Sequence, residues 1–408
     1  MKDHLLVMAG LGFATLIMAW LPSLSKKIKI SYPIMLLVVG ALLYFLKIPL
    51  PWPDPFWPDT WLMYISEMIV IISLMGAGLK IGNDYSLSSW KIPFRLIAVT
   101  MPLCMIATYF LGVHLLSLSF PASILLAAAL APTDPVLAAE VQIKELGEKE
   151  KTSATQFDLT GEAGINDGVA FPFIFLAVMV AEAGSWAKFD LVNWFLDKFL
   201  LKIGLGVLIG WIIGRTIGYL LERLPEIKGI KNPHSFVAIS VTLFTYGITE
   251  LLHGYGFLAV FVAALSIRYE EKLHNRVEEK MHDFIEEIER FLLVIWLILF
   301  GGSILNGLLN YTDWRGVVFA LLLIFIVRPV AGIIALWGLD KPKSEKLKTS
   351  FFGIRGIGSF FYLAWAFTKT DLFEDKITIY AVTALVVLFS IVIHGLSAPR
   401  MMGQQNKN

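Results

Sequence analysis

Cysteine is almost missing from these 408 residues: Cys104 stands alone. A single thiol excludes an internal disulfide and any cysteine cage for a metal. Charge is scarce as well, with Asp, Glu, Lys and Arg at 16% of the chain against about 25% in soluble domains. The 34 basic and 33 acidic residues leave a net charge of +1, which offers no basic footprint for nucleic acid. No Gly-x-Ser-x-Gly and no His-Glu-x-x-His occurs, and "GINDG" at 164–168 has no companion Asp in a Gly-x-Gly-Asp setting. An intramembrane hydrolase therefore lacks its nucleophile, its metal site or its acid pair. The opening "MKDH" is barely basic and no small-x-small site follows Leu5–Leu21, so a cleaved signal peptide is not expected.

What is abundant is apolar sequence. Hydrophobic residues make up 57% of the chain and the mean hydropathy is +0.70. Apolar runs of about 18 residues or more are membrane-span candidates, and they recur from end to end. The breaks between them predict an all-α polytopic membrane protein with about thirteen spans. These lie near 5–21, 31–47, 60–79, 92–117, 121–141, 153–182, 194–221, 234–252, 256–269, 291–309, 316–338, 348–368 and 374–398. Of the 34 basic residues, Lys202, Arg215, Arg328 and Arg355 lie deep in spans. Of the other 30, 23 fall in odd-numbered connections and the tail, including "KKIK" at 26–29, "KELGEKEK" at 144–151 and "KPKSEKLK" at 341–348. The positive-inside rule puts that side in the cytoplasm, so the N-terminus is expected outside the cell membrane and the C-terminus inside. The segment 269–290 carries Leu273, Val277, Phe284 and Ile288 at helical spacing and reads as an amphipathic interfacial helix or a solvated connector. A pH sensor on His274 and His282 is the sharper reading of the same stretch.

Sliding the chain against itself by about 224 residues aligns its halves. "YPIMLLVVGAL" from Tyr32 meets "YGFLAVFVAAL" from Tyr255, "ISLMGAGL" meets "LILFGGSIL", and Trp90-Lys91 meets Trp314-Arg315. "APTDP" around Asp134 then falls opposite "FFGIRGIGSFF" at 351–361. Seven spans separate the partners, an odd number, so the second copy is inserted upside down. Inverted repeats with interrupted helices at matching positions point to a secondary transporter whose site lies at the repeat interface. Spans 5 and 12 are the expected crossed, broken pair. The membrane region is expected over 1–401, with repeats at about 5–182 and 234–398 and a short tail at 402–408.

The break in span 5 has a chemical consequence. Pro132 and Pro135 lack an N–H and disfavour helical geometry in the residue before them, so the carbonyls of Ala128 and Ala131 lose their usual donors. Free carbonyls at that depth are tolerated where they line a cavity or meet another group, and a small hard cation is such a group. Gly353, Gly356 and Gly358 permit a matching break in span 12. Asp134 suits the positive ends of the half-helices and Arg355 the negative ends.

Span 6 carries "FDLTGEAGINDGVAFPF" at 157–173, with Gly161, Gly164 and Gly168 as a small-residue packing seam. A charge at mid-span costs a few kcal/mol and marks a functional position by default, which singles out Glu162 and Asp167. The buried cations are Arg328 of "FIVRPV" and Arg355. Glu162 is assigned to Arg328 as a buried ion pair, because an unpaired Arg there is costly. Asp167 is left without a permanent partner, so a proton and a cation can compete for it.

In this order "APTDP", "GEAGINDG", "VRP" and "GIRGIGS" resemble the monovalent cation–proton antiporters, in particular the NhaP-like branch related to eukaryotic sodium–proton exchangers. The likeness spans nearly the whole membrane region. It implies a homodimer, with a six-helix core (about 92–182 and 316–398) that moves as an elevator and dimerisation helices from the remainder. It implies Asp167 as the cation- and proton-carrying carboxylate beside Asn166, with Thr133, Asp134 and Glu162 around the ion and Arg328 paired to Glu162. Asn166, where electrogenic relatives carry Asp, implies electroneutral one-for-one exchange of sodium, or of lithium or potassium, with no cofactor. Ala163 stands where the family commonly has Ser, removing a hydroxyl one turn from Asp167. The chain stops about ten residues after its last span, so pH control is expected from the membrane region or its loops. The alternatives are a monovalent cation channel and an electrogenic antiporter on the same fold; an intramembrane hydrolase is disfavoured by the missing motifs. His4, His114, His253 and His394 read as interfacial residues, and "PLPWPDPFWPD" at 49–59 as an outer loop with aromatic anchors. Glu67 and Glu250 read as reaching water near outer span ends. Asp158 reads as lining an inner funnel or as a solvated helix start.

Overall fold

A computed structural model describes residues 2–48, 50, 60–81, 87–138, 141, 154–223, 234–270 and 277–402. The outer loop at 49–59 (Leu50 excepted), the basic connection at 144–151, Leu273, His274 and the tail from 403 onward lie outside the described residues, as does the side chain of His4. Every regular element among the described residues is helical. In chain order they are α1 (Lys2–Met18), α2 (Leu21–Ile28), α3 (Tyr32–Phe45), α4 (Thr60–Lys80), α5 (Leu87–Arg95), α6 (Met101–His114), α7 (Phe120–Ala129), α8 (Ala154–Ala183) and α9 (Leu191–Asn193). There follow α10 (Lys202–Arg223), α11 (His234–Leu251), α12 (Gly256–Glu270), α13 (Val277–Leu305), α14 (Trp314–Leu322), α15 (Arg328–Ala335), α16 (Lys343–Phe351), α17 (Ile357–Lys369) and α18 (Lys376–Met402). Six described helical stretches are long and apolar enough to cross a membrane, and shorter apolar helices lie among them.

Wide π turns join three helix pairs, at Leu96–Thr100, Trp194–Leu201 and Leu323–Val327. Two of them run into Pro102 and Pro329. A proline removes a backbone donor from the turn before it, and a local π bulge absorbs the misfit without ending the span. The glycine seam of α8 packs as its residue type predicts: a Cβ at Gly164 would strike the Phe261 ring of α12, and one at Gly168 would strike Leu258. α12 also packs on α4 and α10, and α13 packs on α3 and α4, which gathers the helices around one core.

Three readings of the sequence change here. Residues 277–290 are neither an interfacial helix nor a solvated connector. They are the first turns of α13, continuous with the span that follows. The buried face holds Met281, His282, Ile285 and Glu289, while Phe284 and Ile288 are half-buried. Docking against α4 selects that stripe, one position away from the stripe that apolar spacing suggested. His394 is buried inside α18, where its Nδ1 meets the Ser390 hydroxyl at 3.1 Å and the Ser390 carbonyl at 3.0 Å; the ring packs on Phe351 and Phe352, and its Nε2 has no hydrogen-bond partner among the described residues. Asp158 is buried in an ion pair with Lys341, so it is not a solvated helix start. Glu250 is exposed and caps the Gly256 amide, whereas Glu67 is half-buried and accepts a hydrogen bond from the Tyr246 hydroxyl.

Candidate ion site at two crossed breaks

α7 stops at Ala129, and residues 130–138 continue as turns and extended chain through Pro132 and Pro135. The second break is the extended stretch 352–356 between α16 and α17. The two meet: the Asp134 amide donates to the Ile354 carbonyl at 2.8 Å. Asp134 then satisfies donors on both segments. Its Oδ1 accepts from the amides of Val136 and Leu137 at 2.9 Å each, and its Oδ2 from the amide of Ile357, the first residue of α17, at 2.6 Å. A carboxylate at a helix N-terminus answers both the orphan amides and the positive dipole end. Gly356 lies against it so closely that a Cβ there would run into the Asp134 carboxylate.

Arg355 does the converse. Its Nε donates to the Leu130 carbonyl at the C-terminal end of α7, and Nη1 to the Gly353 carbonyl at 2.7 Å. Its backbone amide donates to the Ser390 hydroxyl at 2.8 Å. A cation thus faces the negative dipole end of one half-helix while an anion faces the positive end of the other.

α8 supplies the remaining acids. Glu162 and Arg328 are both 2% exposed and joined by two parallel bonds, Nη1 to Oε1 at 2.5 Å and Nη2 to Oε2 at 2.7 Å. Arg328 Nη2 also donates to the Phe352 carbonyl at 3.1 Å, which ties the pair to the edge of the second break. Asn166 Nδ2 donates to Thr133 Oγ1 at 2.8 Å, linking α8 to the first break. Asp167 is 2% exposed. The Tyr362 hydroxyl of α17 reaches its Oδ1 at 3.0 Å and its main-chain oxygen at 2.9 Å. Asp167 Oδ2 and Asn166 Oδ1 are buried and have no hydrogen-bond partner among the described residues. Buried polar atoms are normally satisfied, so two orphan oxygens on consecutive residues mark a place where a proton or a hard cation fits. Ala163, one turn before Asp167, is buried and brings no oxygen.

All seven residues nominated from the sequence lie at or beside the crossing. Thr133, Asp134 and Arg355 lie in the broken segments, Glu162, Asn166 and Asp167 face them from α8, and Arg328 locks Glu162. Sequence reasoning missed Tyr362 and the Ser390–His394 pair behind Arg355. A signal for Tyr362 was available: a tyrosine four residues past Gly358, one turn into the half-helix beyond the break, needs a partner for its hydroxyl.

Comparison with known proteins follows the same lines. Residues 12–403 match the family model described as sodium/hydrogen exchanger, transmembrane. A Na+/H+ antiporter of Saccharomyces cerevisiae is 25% identical over 392 residues, covering 88% of this chain and 39% of the yeast protein. The K+/H+ antiporter NhaP of Alkalimonas amylolytica is 26% identical over 301 residues, covering 71% of this chain and 47% of that protein. This chain thus spans about two-fifths to half the length of these relatives. The structure of the sodium proton antiporter MjNhaP1 from Methanocaldococcus jannaschii at pH 8 superposes with a TM-score of 0.72 at 18% identity, over 100% of both chains. That likeness is one of fold.

Proposed function

The chain belongs to the sodium/hydrogen exchanger family, and from that premise we propose that it exchanges a monovalent cation for protons across the cell membrane at Asp167. The observation that carries the reading is the state of that carboxylate. Among the described residues it is buried with no cationic side chain paired to it; one oxygen is held by Tyr362, and the other is unpaired, as is Oδ1 of the preceding residue, Asn166. Glu162 is committed to Arg328 and Asp134 to three backbone amides. A carboxylate with no cationic side chain paired to it can take a proton or a cation in turn, and the single negative charge makes the two exclusive.

In this mechanism the cation sheds water onto Asp167 Oδ2, with Asn166 Oδ1 and the Thr133 hydroxyl as further oxygen ligands. A proton arriving at Asp167 removes the charge that holds it. Glu162, neutralised by Arg328, supports α8 and carries no proton of its own in the cycle. One carboxylate trading one charge for another implies electroneutral exchange. Sodium is the first candidate, with lithium and potassium open because Ala163 contributes no ligand.

The same reading covers architecture. About thirteen spans form two inverted repeats, and a core from about 92–182 and 316–398 moves as an elevator against dimerisation helices in a homodimer. The repeat is supported by α3 starting at Tyr32 and α12 at Gly256, 224 residues apart. Two π turns precede Pro102 and Pro329, close to the same offset. The basic connections are placed in the cytoplasm.

The test uses purified protein in liposomes with a trapped pH dye, an imposed proton gradient, and sodium, lithium or potassium added outside. Cation-driven pH change that is indifferent to membrane voltage and absent in Asp167→Asn is the expected result. Full activity in Asp167→Asn would move the exchanging group elsewhere. Voltage-dependent exchange would make the protein electrogenic, and cation flux without proton coupling would make it a channel.

A further inference from the structure

We propose that Tyr362 is the positioning residue of the exchange site: by holding Oδ1 of Asp167 it reserves Oδ2 for the transported cation and sets the balance between cation and proton. The inference rests on the reading that Asp167 is the exchanging carboxylate.

Tyr362 is fully buried on α17, and its hydroxyl has two acceptors on the same residue, Asp167 Oδ1 at 3.0 Å and the Asp167 main-chain oxygen at 2.9 Å. The ring that carries it is clamped. Phe171, one turn past Asp167 on α8, meets it edge-on with centroids 5.3 Å apart, and Phe361 meets it at 5.8 Å. Gly358 adds the other wall, since a Cβ there would stand 3.4 Å from Asp167 Oδ1. The carboxylate is therefore gripped on its Oδ1 side, and Oδ2 is the oxygen left without a partner among the described residues.

A hydroxyl carries a single proton, so two acceptors give it two settings. Facing a charged carboxylate, it donates to Oδ1, and such a charge-assisted bond is roughly twice as strong as a neutral one. When a proton neutralises Asp167, the hydroxyl proton can turn to the main-chain oxygen and still be satisfied. Tyr362 thus never becomes a buried orphan in either half of the cycle, yet it favours the charged form that binds cation. Without the hydroxyl, the proton competes better for the same carboxylate.

The experiment measures sodium-driven proton movement in liposomes across pH for wild type, Tyr362→Phe, Tyr380→Phe and Asp167→Asn. Tyr380 is a buried tyrosine on α18 packed against Phe360 and serves as a control for loss of a hydroxyl away from the site. Tyr362→Phe is expected to raise the apparent sodium KM at neutral pH about three- to ten-fold, more than it lowers kcat, and to move the acidic limb of the activity profile to higher pH. Tyr380→Phe is expected to move neither. If Tyr362→Phe lowers kcat alone, with KM and profile unmoved, the residue is a packing element and the proposal is overturned. Should Tyr362→Phe fail to reach the membrane, 3-fluorotyrosine at position 362 decides: its stronger donor moves the limb to lower pH, and an unmoved limb overturns the proposal. Exchange surviving in Asp167→Asn would overturn the ion-site reading and this inference with it. Exchange lost in Asp167→Asn with an unmoved profile in Tyr362→Phe would overturn this inference alone.

Discussion

Arg328 and Glu162 show how a buried charge constrains its own partner. With two deeply buried cations among the spans and few carboxylates at their depth, pairing Arg328 with Glu162 followed from the penalty on leaving either alone. The parallel two-point geometry adds strength and direction, because a guanidinium matches a carboxylate plane. Removing one partner is the severe change. Arg328→Met is expected to destabilise by roughly 3–5 kcal/mol, and the double change Arg328→Met with Glu162→Leu to recover most of that. Thermal unfolding of the detergent-solubilised protein measures both; a double variant no better than the single would show that the charges also serve elsewhere. Tyr362 lies at the opposite limit of legibility. A neutral hydroxyl among 12 tyrosines carries no such penalty to announce its partner, and Asp167 is 195 residues away in the chain.

At the scale of elements the two breaks were legible because prolines and glycines act locally. Pro132 and Pro135 fall just past the end of α7, and Gly353 and Gly356 fall between α16 and α17 with Gly358 one residue into α17, where residues that weaken helices leave a local mark. Their crossing rests on Asp134, so Asp134→Ala leaves amides of Val136, Leu137 and Ile357 without an acceptor. Each buried orphan amide costs about 1–3 kcal/mol, and a drop in melting temperature much larger than for Asp134→Asn is expected. Gly356→Ala should be comparably damaging because its Cβ has no room, whereas Gly204→Ala on α10, with open space around it, should be neutral or slightly stabilising. Equal melting temperatures for the two alanine variants would contradict the close approach. The misreading of 277–290 has an opposite cause. Charged and apolar residues alternate there in a way that suits an interface, and packing against α4 decided that His282 and Glu289 go inside.

For the whole molecule the orientation is directly testable. Lys343 and Asp371 are exposed and stand at opposite ends of the α16–α17 segment. Cys104 is buried, so the background thiol is removed with Cys104→Ala. On intact cells a membrane-impermeant thiol reagent is expected to label Asp371→Cys and spare Lys343→Cys. The reverse pattern would turn the protein over and assign the basic connections to the outside.

The amino-acid sequence by itself determined the class of molecule, the places where spans break, and the acids that lie buried among them, because hydropathy, helix breaking and the penalty on buried charge act within a few residues. It did not determine which breaks touch, which hydroxyl holds Asp167, or which face of α13 is buried. In a chain surrounded by lipid the outer and inner faces of a helix are both apolar, so periodicity no longer tells them apart. Contacts such as Asp134 with Ile354 join residues 220 positions apart, and only the packing of the whole bundle could choose them.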